Sequence, residues 1–192
     1  DVMDAEEALI RHSLGGVISK HGADIKSTFG EDNVLQDSPF PRITLEEARK
    51  IAFDHGVFIP QDTADLNREA EKVVSEVLKE RTGSDFVFVT EYPSTVRPFY
   101  HMRVEGRPDL TKSFDLLYKG VEITTGAQRE HRYDVLVAQA REKGLSEEYI
   151  NTHLHTSYLN YFRFGMPPHG GFGLGLARLM GKITGQNNIK ET

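Results

Sequence analysis

One segment near the end of the chain restricts the fold more than any other: residues 171–178, Gly-Phe-Gly-Leu-Gly-Leu-Ala-Arg. Side chains alternate between the two faces of a β-strand, so three alternating glycines leave one face bare. Such a face either packs closely against a helix or strand, or lies open to a flat ligand that rests on the backbone. The spacing fits neither a Gly-x-Gly-x-x-Gly turn nor a Walker loop, because Arg178 takes the third glycine position and no Gly-Lys-Ser/Thr follows.

A hairpin is the second constraint. Lys119-Gly120 separates two β-prone segments and is typical of a two-residue turn. In an ideal hairpin with this turn, Asp115 and Glu122 are diagonal neighbours on one face of the sheet. Two carboxylates that close raise each other's pKa unless a cation lies between them, and oxygen ligands suit Mg²⁺ that also bridges a phosphate. A solvated face carrying two unrelated acids is the alternative.

The rest of the sequence predicts a single α+β domain over residues 1–192, with an antiparallel β-sheet flanked by helices. Helices are predicted by apolar periodicity and capping signals at 2–21, 44–53, 64–80, 130–143, 146–162 and 177–184. Strands are predicted at 86–89, 98–103, 113–118, 121–125 and 170–176. Residues 22–43 are predicted to be a loop.

Composition excludes several classes of protein. The chain has no cysteine, which rules out disulfides, cysteine-ligated zinc and thiol catalysis. It carries no apolar run near the ~18 residues of a membrane span and no signal-peptide segment, so a cytoplasmic location is predicted. With 23 Lys+Arg and 29 Asp+Glu the net charge is -6, which argues against a broad nucleic-acid surface but allows a local basic patch.

The segment after the hairpin, residues 124–132, is polar and contains Gly126, which is typical of a binding loop at a strand end. Arg129 could hold a small carboxylate through two parallel hydrogen bonds. Arg129 and Glu130 could equally form an exposed helix start, which is the commoner fate of such charges.

Several of these segments together resemble the C-terminal half of a class II aminoacyl-tRNA synthetase catalytic domain, most like the aspartyl enzymes of archaeal and eukaryotic type. The matching stretches are 88–93, 97–100, 114–129 and 166–178, the last of which resembles motif 3 of that family. Motifs 1 and 2 and the anticodon-binding domain have no counterpart in the sequence. Ala177 stands where the family normally has Glu.

The resemblance implies a role for each matching residue. Metal ligands would be Asp115, Glu122 and Thr125, and aspartate would be bound by Thr125 and Arg129. ATP would be bound by Glu122, Gly175, Leu176, Ala177 and Arg178, with Arg178 as the catalytic residue on the γ-phosphate. Because Thr125 and Glu122 differ in parity, the chain must bulge or leave the strand there for both to act together.

The implied activity is that of an aspartate–tRNA ligase in protein biosynthesis, which forms aspartyl-adenylate from ATP and Mg²⁺ and transfers aspartate to tRNA. The implied assembly is a homodimer, and no membrane is involved. Without motif 2, this chain alone is expected to be weak or inactive. Three alternatives stay open: asparagine as the substrate, a tRNA-independent paralogue that uses an aspartyl-adenylate, and a non-catalytic interaction module.

Overall fold

The structure is a computed structural model that describes residues 1–60, 63 and 65–186. The chain divides into two compact units. Unit 1 comprises Asp1–Thr90, Phe114–Gly126 and Phe172–Thr192, and unit 2 comprises Glu91–Ser113 and Ala127–Gly171. The assignment of the whole chain to one domain stays a prediction.

The helices and strands follow one another along the chain in an α+β order, as predicted. They are α1 (Val2–Phe29), β1 (Arg42–Thr44), α2 (Leu45–Asp54), α3 (Arg68–Thr82), β2 (Phe86–Thr90), β3 (Arg103–Val104), β4 (Arg107–Thr111), β5 (Ser113–Tyr118), β6 (Val121–Gln128), α4 (Tyr133–Glu142), α5 (Glu147–Tyr149), a π-helical segment (Ile150–Leu159), α6 (Asn160–Phe162), β7 (Gly170–Leu174) and α7 (Leu176–Thr184). Of the described helices, none has the length and apolar character needed to cross a membrane.

Five strands form one sheet in the order β1-β2-β5-β6-β7, and β3 pairs with β4 in a separate two-stranded sheet. Strands β2 and β5 are antiparallel, as predicted, whereas β1 joins the sheet edge parallel to β2. The parallel pair is possible because α2 and α3 lie between β1 and β2 and provide the crossover that parallel strands require. The sheet is therefore mixed.

The core of unit 1 is aromatic on one face of this sheet. The ring of Phe86 stacks between Phe40 and Tyr118, at centroid distances of 4.4 and 4.2 Å. Ile10 and Leu14 of α1 and the α7 residues Leu179 and Ile183 complete the same buried cluster. Packing of both helices on the sheet fixes the position of β7, which leads directly into α7.

Helix α1 differs most from its prediction, because it continues through Gly15 and Gly16 to Phe29 instead of ending at residue 21. Two glycines cost a helix about 2 kcal/mol relative to alanine, but buried Ile10 and Leu14 anchor this one to the core. The helix ends at Gly30, whose φ of 78° is the left-handed conformation of a C-cap. Residues 22–29 of the predicted loop are thus helical.

The next two helices begin at side-chain caps. Thr44 and Glu47 form the predicted capping box before α2. The side chain of Asn67 accepts a hydrogen bond from the backbone N–H of Ala70 at 2.8 Å and starts α3. Ala64, the predicted first residue of that helix, lies outside the described residues.

Unit 2 has a separate core in which α4 packs against the π-helical segment through residues such as Leu136, Ile150 and Leu159. The predicted helix over 146–162 is observed as three consecutive helical segments, the middle one π-helical. The strand predicted at 98–103 is wrong for most of its length: the strands there begin at Arg103, and His101 forms an isolated bridge with Arg129. Pro98 explains part of this difference, since it lacks the N–H that a strand ladder needs.

Candidate functional site

The glycine-alternating strand β7 presents an open face. A Cβ added to Gly171 or to Gly173 would meet no atom within 4 Å in the described part of the chain. A closely packed helix or strand, the first explanation for the missing side chains, is therefore wrong at these two positions. The openness that a flat ligand would require is present.

Strand β7 ends before Gly175, whose backbone N–H donates to the carbonyl of Ile123 at 2.8 Å. A Cβ at this glycine would lie 3.4 Å from that carbonyl oxygen, so the α7 N-terminus approaches β6 closely. The alternation predicted that Leu176 belongs to the strand, and this is wrong. Leu176 is the first residue of α7, and it is 63% exposed. Arg178 stands in the first turn of α7, as expected.

The hairpin between β5 and β6 has the predicted two-residue turn. Lys119 and Gly120 have φ values of 46° and 78°, which is the type I′ geometry that matches the twist of antiparallel strands. A Cβ on Gly120 would lie 3.0 Å from the Cα of Lys72, so α3 packs directly on the turn. This contact holds the start of β6 in place.

Glu122 on β6 is in contact with two other predicted site residues of unit 1, Thr125 and Arg178. The hydroxyl of Thr125 donates to its carboxylate at 2.8 Å. The Arg178 guanidinium donates to its backbone carbonyl at 2.8 Å and lies 3.6 Å from its carboxylate. Arg178 and Glu122 are 53% and 34% exposed, so the ion pair is screened by water and can exchange partners for a ligand.

The contact between Glu122 and Thr125 requires a departure from regular side-chain alternation within β6, which is one continuous strand. Residues i and i+3 of a regular strand lie about 10 Å apart and on opposite faces. Here the two side chains are hydrogen-bonded, and Gly126 faces the Phe114 ring so closely that an added Cβ would lie 2.2 Å from it. The expected departure from regular alternation between Glu122 and Thr125 is therefore present.

Glu71 is a residue of this cluster that the sequence did not reveal. Its carboxylate accepts the backbone N–H of Glu122 at 3.2 Å. Burial raises the pKa of Glu71 to about 7, the charges of Glu122 and Asp65 add to this, and Arg178 acts in the opposite direction. In the sequence Glu71 is one polar residue of an amphipathic helix, and nothing distinguishes it from its neighbours.

Asp115 is 3% exposed, unlike the half-buried Glu122. Its charge contributes to a pKa of about 7 for Glu6, although burial of Glu6 is the larger cause. Glu6 is fully buried and accepts a hydrogen bond from the hydroxyl of Thr124. Asp115 thus belongs to a buried acidic environment, and its role as a metal ligand stays a prediction.

The oxygen atoms of Glu122 and Thr125 fit a magnesium ion, because Mg²⁺ usually takes one or two protein carboxylates and completes its shell with water and phosphate oxygens. Within residues 1–60, 63 and 65–186, no group of three or more His, Cys, Asp or Glu side chains forms a cage that could hold a metal alone. A magnesium ion held by Glu122 and Thr125 would take its other ligands from water or phosphate oxygens.

Arg129 lies in unit 2 and is held by its backbone. Its N–H donates to the carbonyl of His169 at 2.9 Å, and its guanidinium lies 4.9 Å from the ring centre of Tyr100. Atom Nη1 is buried and has no hydrogen-bond partner among the described residues. The exposed helix start proposed as an alternative is wrong, since α4 begins at Tyr133 and Glu130 is buried against Arg132.

His101, which no motif in the sequence marks, is paired with Arg129 in an isolated β-bridge and is 3% exposed. Burial lowers the pKa of His101 to about 3, and the charges of Arg129 and Arg97 lower it further. The imidazole is therefore neutral at pH 7. The neutral imidazole of His101 therefore does not compensate the positive charge of Arg129.

Comparison of the sequence with known proteins identifies the family of this chain. The family model of class II tRNA synthetases (D, K and N) matches residues 1–192. The chain belongs to this family. Over 100% of its length it is 44% identical to the aspartate–tRNA(Asp) ligase of Pyrococcus abyssi, and over 99% it is 41% identical to the aspartate–tRNA(Asp/Asn) ligase of Thermus thermophilus.

Solved structures of class II synthetases have the same fold. The aspartyl-tRNA synthetase of Entamoeba histolytica superposes with a TM-score of 0.87 at 29% identity over 98% of the chain and 38% of that structure. The asparaginyl-tRNA synthetase of the same organism, solved with asparaginyl-adenylate, gives 0.84 at 30% identity over 100% of the chain and 42% of that structure. The chain spans 42% of the Pyrococcus abyssi relative and 43% of the Thermus thermophilus one.

Proposed function

We propose that the chain is the ATP-binding part of an aspartate–tRNA ligase that activates aspartate as aspartyl-adenylate in the cytoplasm. The observation that carries the proposal is the convergence of Thr125 and Arg178 on Glu122, next to the open face of β7. A magnesium nucleotide needs oxygen ligands for the metal, a cation for its terminal phosphate and an open, flat surface for its base. Glu122 and Thr125 would supply the oxygen ligands, Arg178 the cation and the glycine face of β7 the surface.

Each residue would act by positioning and charge. Glu122 and Thr125 would hold Mg²⁺, which when bound neutralises phosphate charge, and Arg178 would donate to the γ-phosphate. An aspartate carboxylate oxygen would bond to the α-phosphorus while the bond from that phosphorus to the bridging oxygen breaks, so that pyrophosphate leaves with its electron pair. Arg129 would hold the side-chain carboxylate of aspartate, and the aspartyl group would then pass to tRNA in a homodimeric enzyme.

The test is calorimetric titration of the 192-residue chain with ATP and Mg²⁺. Weak binding is expected, and Glu122→Ala should abolish it. Glu46→Ala, which removes an exposed carboxylate on α2, is the matched control and should bind as the unchanged chain does. Binding that survives Glu122→Ala would remove the metal assignment.

Two further assays separate the remaining functions. Aspartate-dependent exchange of pyrophosphate into ATP would exclude a non-catalytic module, and stimulation of pyrophosphate release by tRNA would exclude a tRNA-independent paralogue. Relatives named for tRNA(Asp/Asn) favour testing tRNA(Asn) as a second acceptor.

A further inference from the structure

Unit 1 contains a second concave site, formed by α3, the β5–β6 turn and α7. It is a cavity of about 310 Å³, a volume at the lower end of the range for small-molecule sites. Among the described residues of its lining, five side chains are basic, namely Arg68, Lys72, Lys79, Lys119 and Lys182. Two described lining side chains are acidic, Glu76 and Asp85, in a chain whose net charge is -6. The charge of this cavity is thus opposite to that of the whole chain.

The spacing of the α3 residues explains how the cations come together. Four lining residues of α3 recur at i, i+4, i+7 and i+11 and so lie on one stripe of the helix: Arg68, Lys72, Ser75 and Lys79. Gly120 permits the close approach of the hairpin turn to this stripe, because an added Cβ would lie 3.0 Å from the Lys72 Cα. The walls of the cavity are therefore regular elements and a tight turn.

The cations are only partly neutralised. Three of the lysines have acidic partners, in the pairs Lys79–Asp85 at 2.7 Å, Lys119–Glu31 at 3.0 Å and Lys72–Glu76 at 3.8 Å. Arg68 and Lys182 form no ion pair within the described part of the chain. Two positive charges in the lining are therefore available to an anion.

Ser75 supplies an independent observation. It is 6% exposed, and its hydroxyl has no hydrogen-bond partner among residues 1–60, 63 and 65–186. A helical serine usually donates to the carbonyl four residues earlier, and a buried hydroxyl without a partner costs about 1–3 kcal/mol. An unsatisfied donor in the wall of a basic cavity is the arrangement expected of an oxyanion site.

We propose that this cavity binds the phosphate group of a small phosphorylated molecule, with Arg68 and Lys182 as charge partners and the Ser75 hydroxyl as donor. The site uses none of the residues assigned to ATP and goes beyond the proposed ligase function. A concave cavity favours a compact anion over the extended backbone of RNA, which tracks along open grooves.

The direct test is a titration of the isotope-labelled 192-residue chain with inorganic pyrophosphate, followed by amide chemical shifts. The Ser75 and Gly120 amides should shift together in a saturable way, whatever occurs at Gly175 and Arg178. A short single-stranded RNA is the second arm. Pyrophosphate should bind this cavity more tightly than the RNA; tighter binding of the RNA, or no saturable shift at Ser75 and Gly120, would overturn the proposal.

Variants make the test specific. Arg68→Gln combined with Lys182→Gln should weaken pyrophosphate binding at this cavity about tenfold or more, because both charge-assisted contacts are lost. The matched control, Arg81→Gln with Lys20→Gln, removes the same charge at exposed positions outside the lining and should change the affinity less than about twofold. Equal losses in the two double variants would show a general charge effect and contradict the site.

Ser75→Ala separates the ligand role from a structural one. It removes an unsatisfied buried hydroxyl, so the anion-free chain should melt at the same or a higher temperature, while pyrophosphate binding should weaken about fivefold. A variant that is destabilised and binds pyrophosphate unchanged would assign the hydroxyl to the fold and not to a ligand.

Discussion

The two arginines assigned to substrate occupy opposite electrostatic situations. In unit 1, Arg178 is 53% exposed and already hydrogen-bonded to Glu122. In unit 2, Arg129 keeps a buried N–H without a partner in the described residues and has the neutral His101 beside it in the β-bridge. The first guanidinium can exchange one partner for another, whereas the second one has a buried Nη1 without a hydrogen-bond partner among the described residues.

The difference shows two ways in which an arginine can be arranged before a ligand binds. A screened, paired arginine contributes modestly to affinity because a ligand must compete with the existing contact and with water. A buried donor without a partner contributes more, because the desolvation cost has been met during folding and the ligand restores the missing bond. The predictions below test this contrast.

Arg129→Gln should have the largest effect. Loss of the guanidinium is expected to weaken aspartate binding in the presence of ATP by roughly 100-fold, in keeping with about 2–5 kcal/mol for a buried charge pair. The thermal stability of the ligand-free variant should change much less than its aspartate affinity, because the lost contact with the Tyr100 ring is offset by removal of an unsatisfied buried donor. Calorimetry and thermal melting measure the two quantities.

The control for Arg129 is Arg163→Gln, an exposed arginine of unit 2 that also lies over a tyrosine ring, 5.8 Å from its centre. It should leave aspartate binding unchanged. Comparison of aspartate with asparagine decides the substrate: tighter binding of asparagine by the unchanged chain would contradict the aspartate assignment.

Glu6→Gln should change the pH dependence of stability. The pKa of Glu6 is raised by burial from 4.5 to about 7, so the folded chain binds a proton that the unfolded chain releases, and stability falls as pH rises from about 4.5 to 7. Above pH 7 the free energy of unfolding of Glu6→Gln should exceed that of the unchanged chain by about 3 kcal/mol. Urea denaturation at several pH values gives the profile, with Glu46→Gln as the exposed control, and an unaltered profile in Glu6→Gln would disprove the assignment.

Gly126→Ala and Gly173→Ala compare a glycine packed against a side chain with a glycine that has free space beside it. The first places a Cβ 2.2 Å from the buried Phe114 ring and should destabilise the chain by about 1–3 kcal/mol. The second meets no described atom within 4 Å and should change stability by less than about 0.5 kcal/mol while obstructing a base on β7. Denaturation and ATP titration check both, and similar destabilisation by the two substitutions would refute the open face.

Arg178→Gln should weaken ligand binding less than Arg129→Gln does. Because the guanidinium is half exposed and already paired, the affinity for ATP with Mg²⁺ should fall about tenfold. Arg81→Gln, on the exposed end of α3, is the control. If Arg178→Gln weakened binding more than Arg129→Gln weakens aspartate binding, the contrast between the two arginines would be wrong.

Local signals in the sequence predicted much of the framework. The capping box of α2, the Lys119-Gly120 turn and the start of β7 are set by residues within a few positions of one another, and all three were found where the sequence predicted them. The end of α1 and the parallel edge strand β1 were not predictable in this way. Both depend on packing against residues far away in the chain, which local propensity does not contain.

The same division holds for the site. Spacing and parity in the sequence marked Glu122 and Arg178, and the motifs that resemble the family added Thr125 and, with it, the expected departure from strand alternation. Only the tertiary structure decided that Glu71 joins them, that Asp115 lies beside a buried Glu6, and that Arg129 keeps an unsatisfied donor. The physical reason is that burial, charge and contacts such as the hydrogen bond between Glu71 and Glu122 come from distant segments, whereas helix caps and turn geometry come from neighbours.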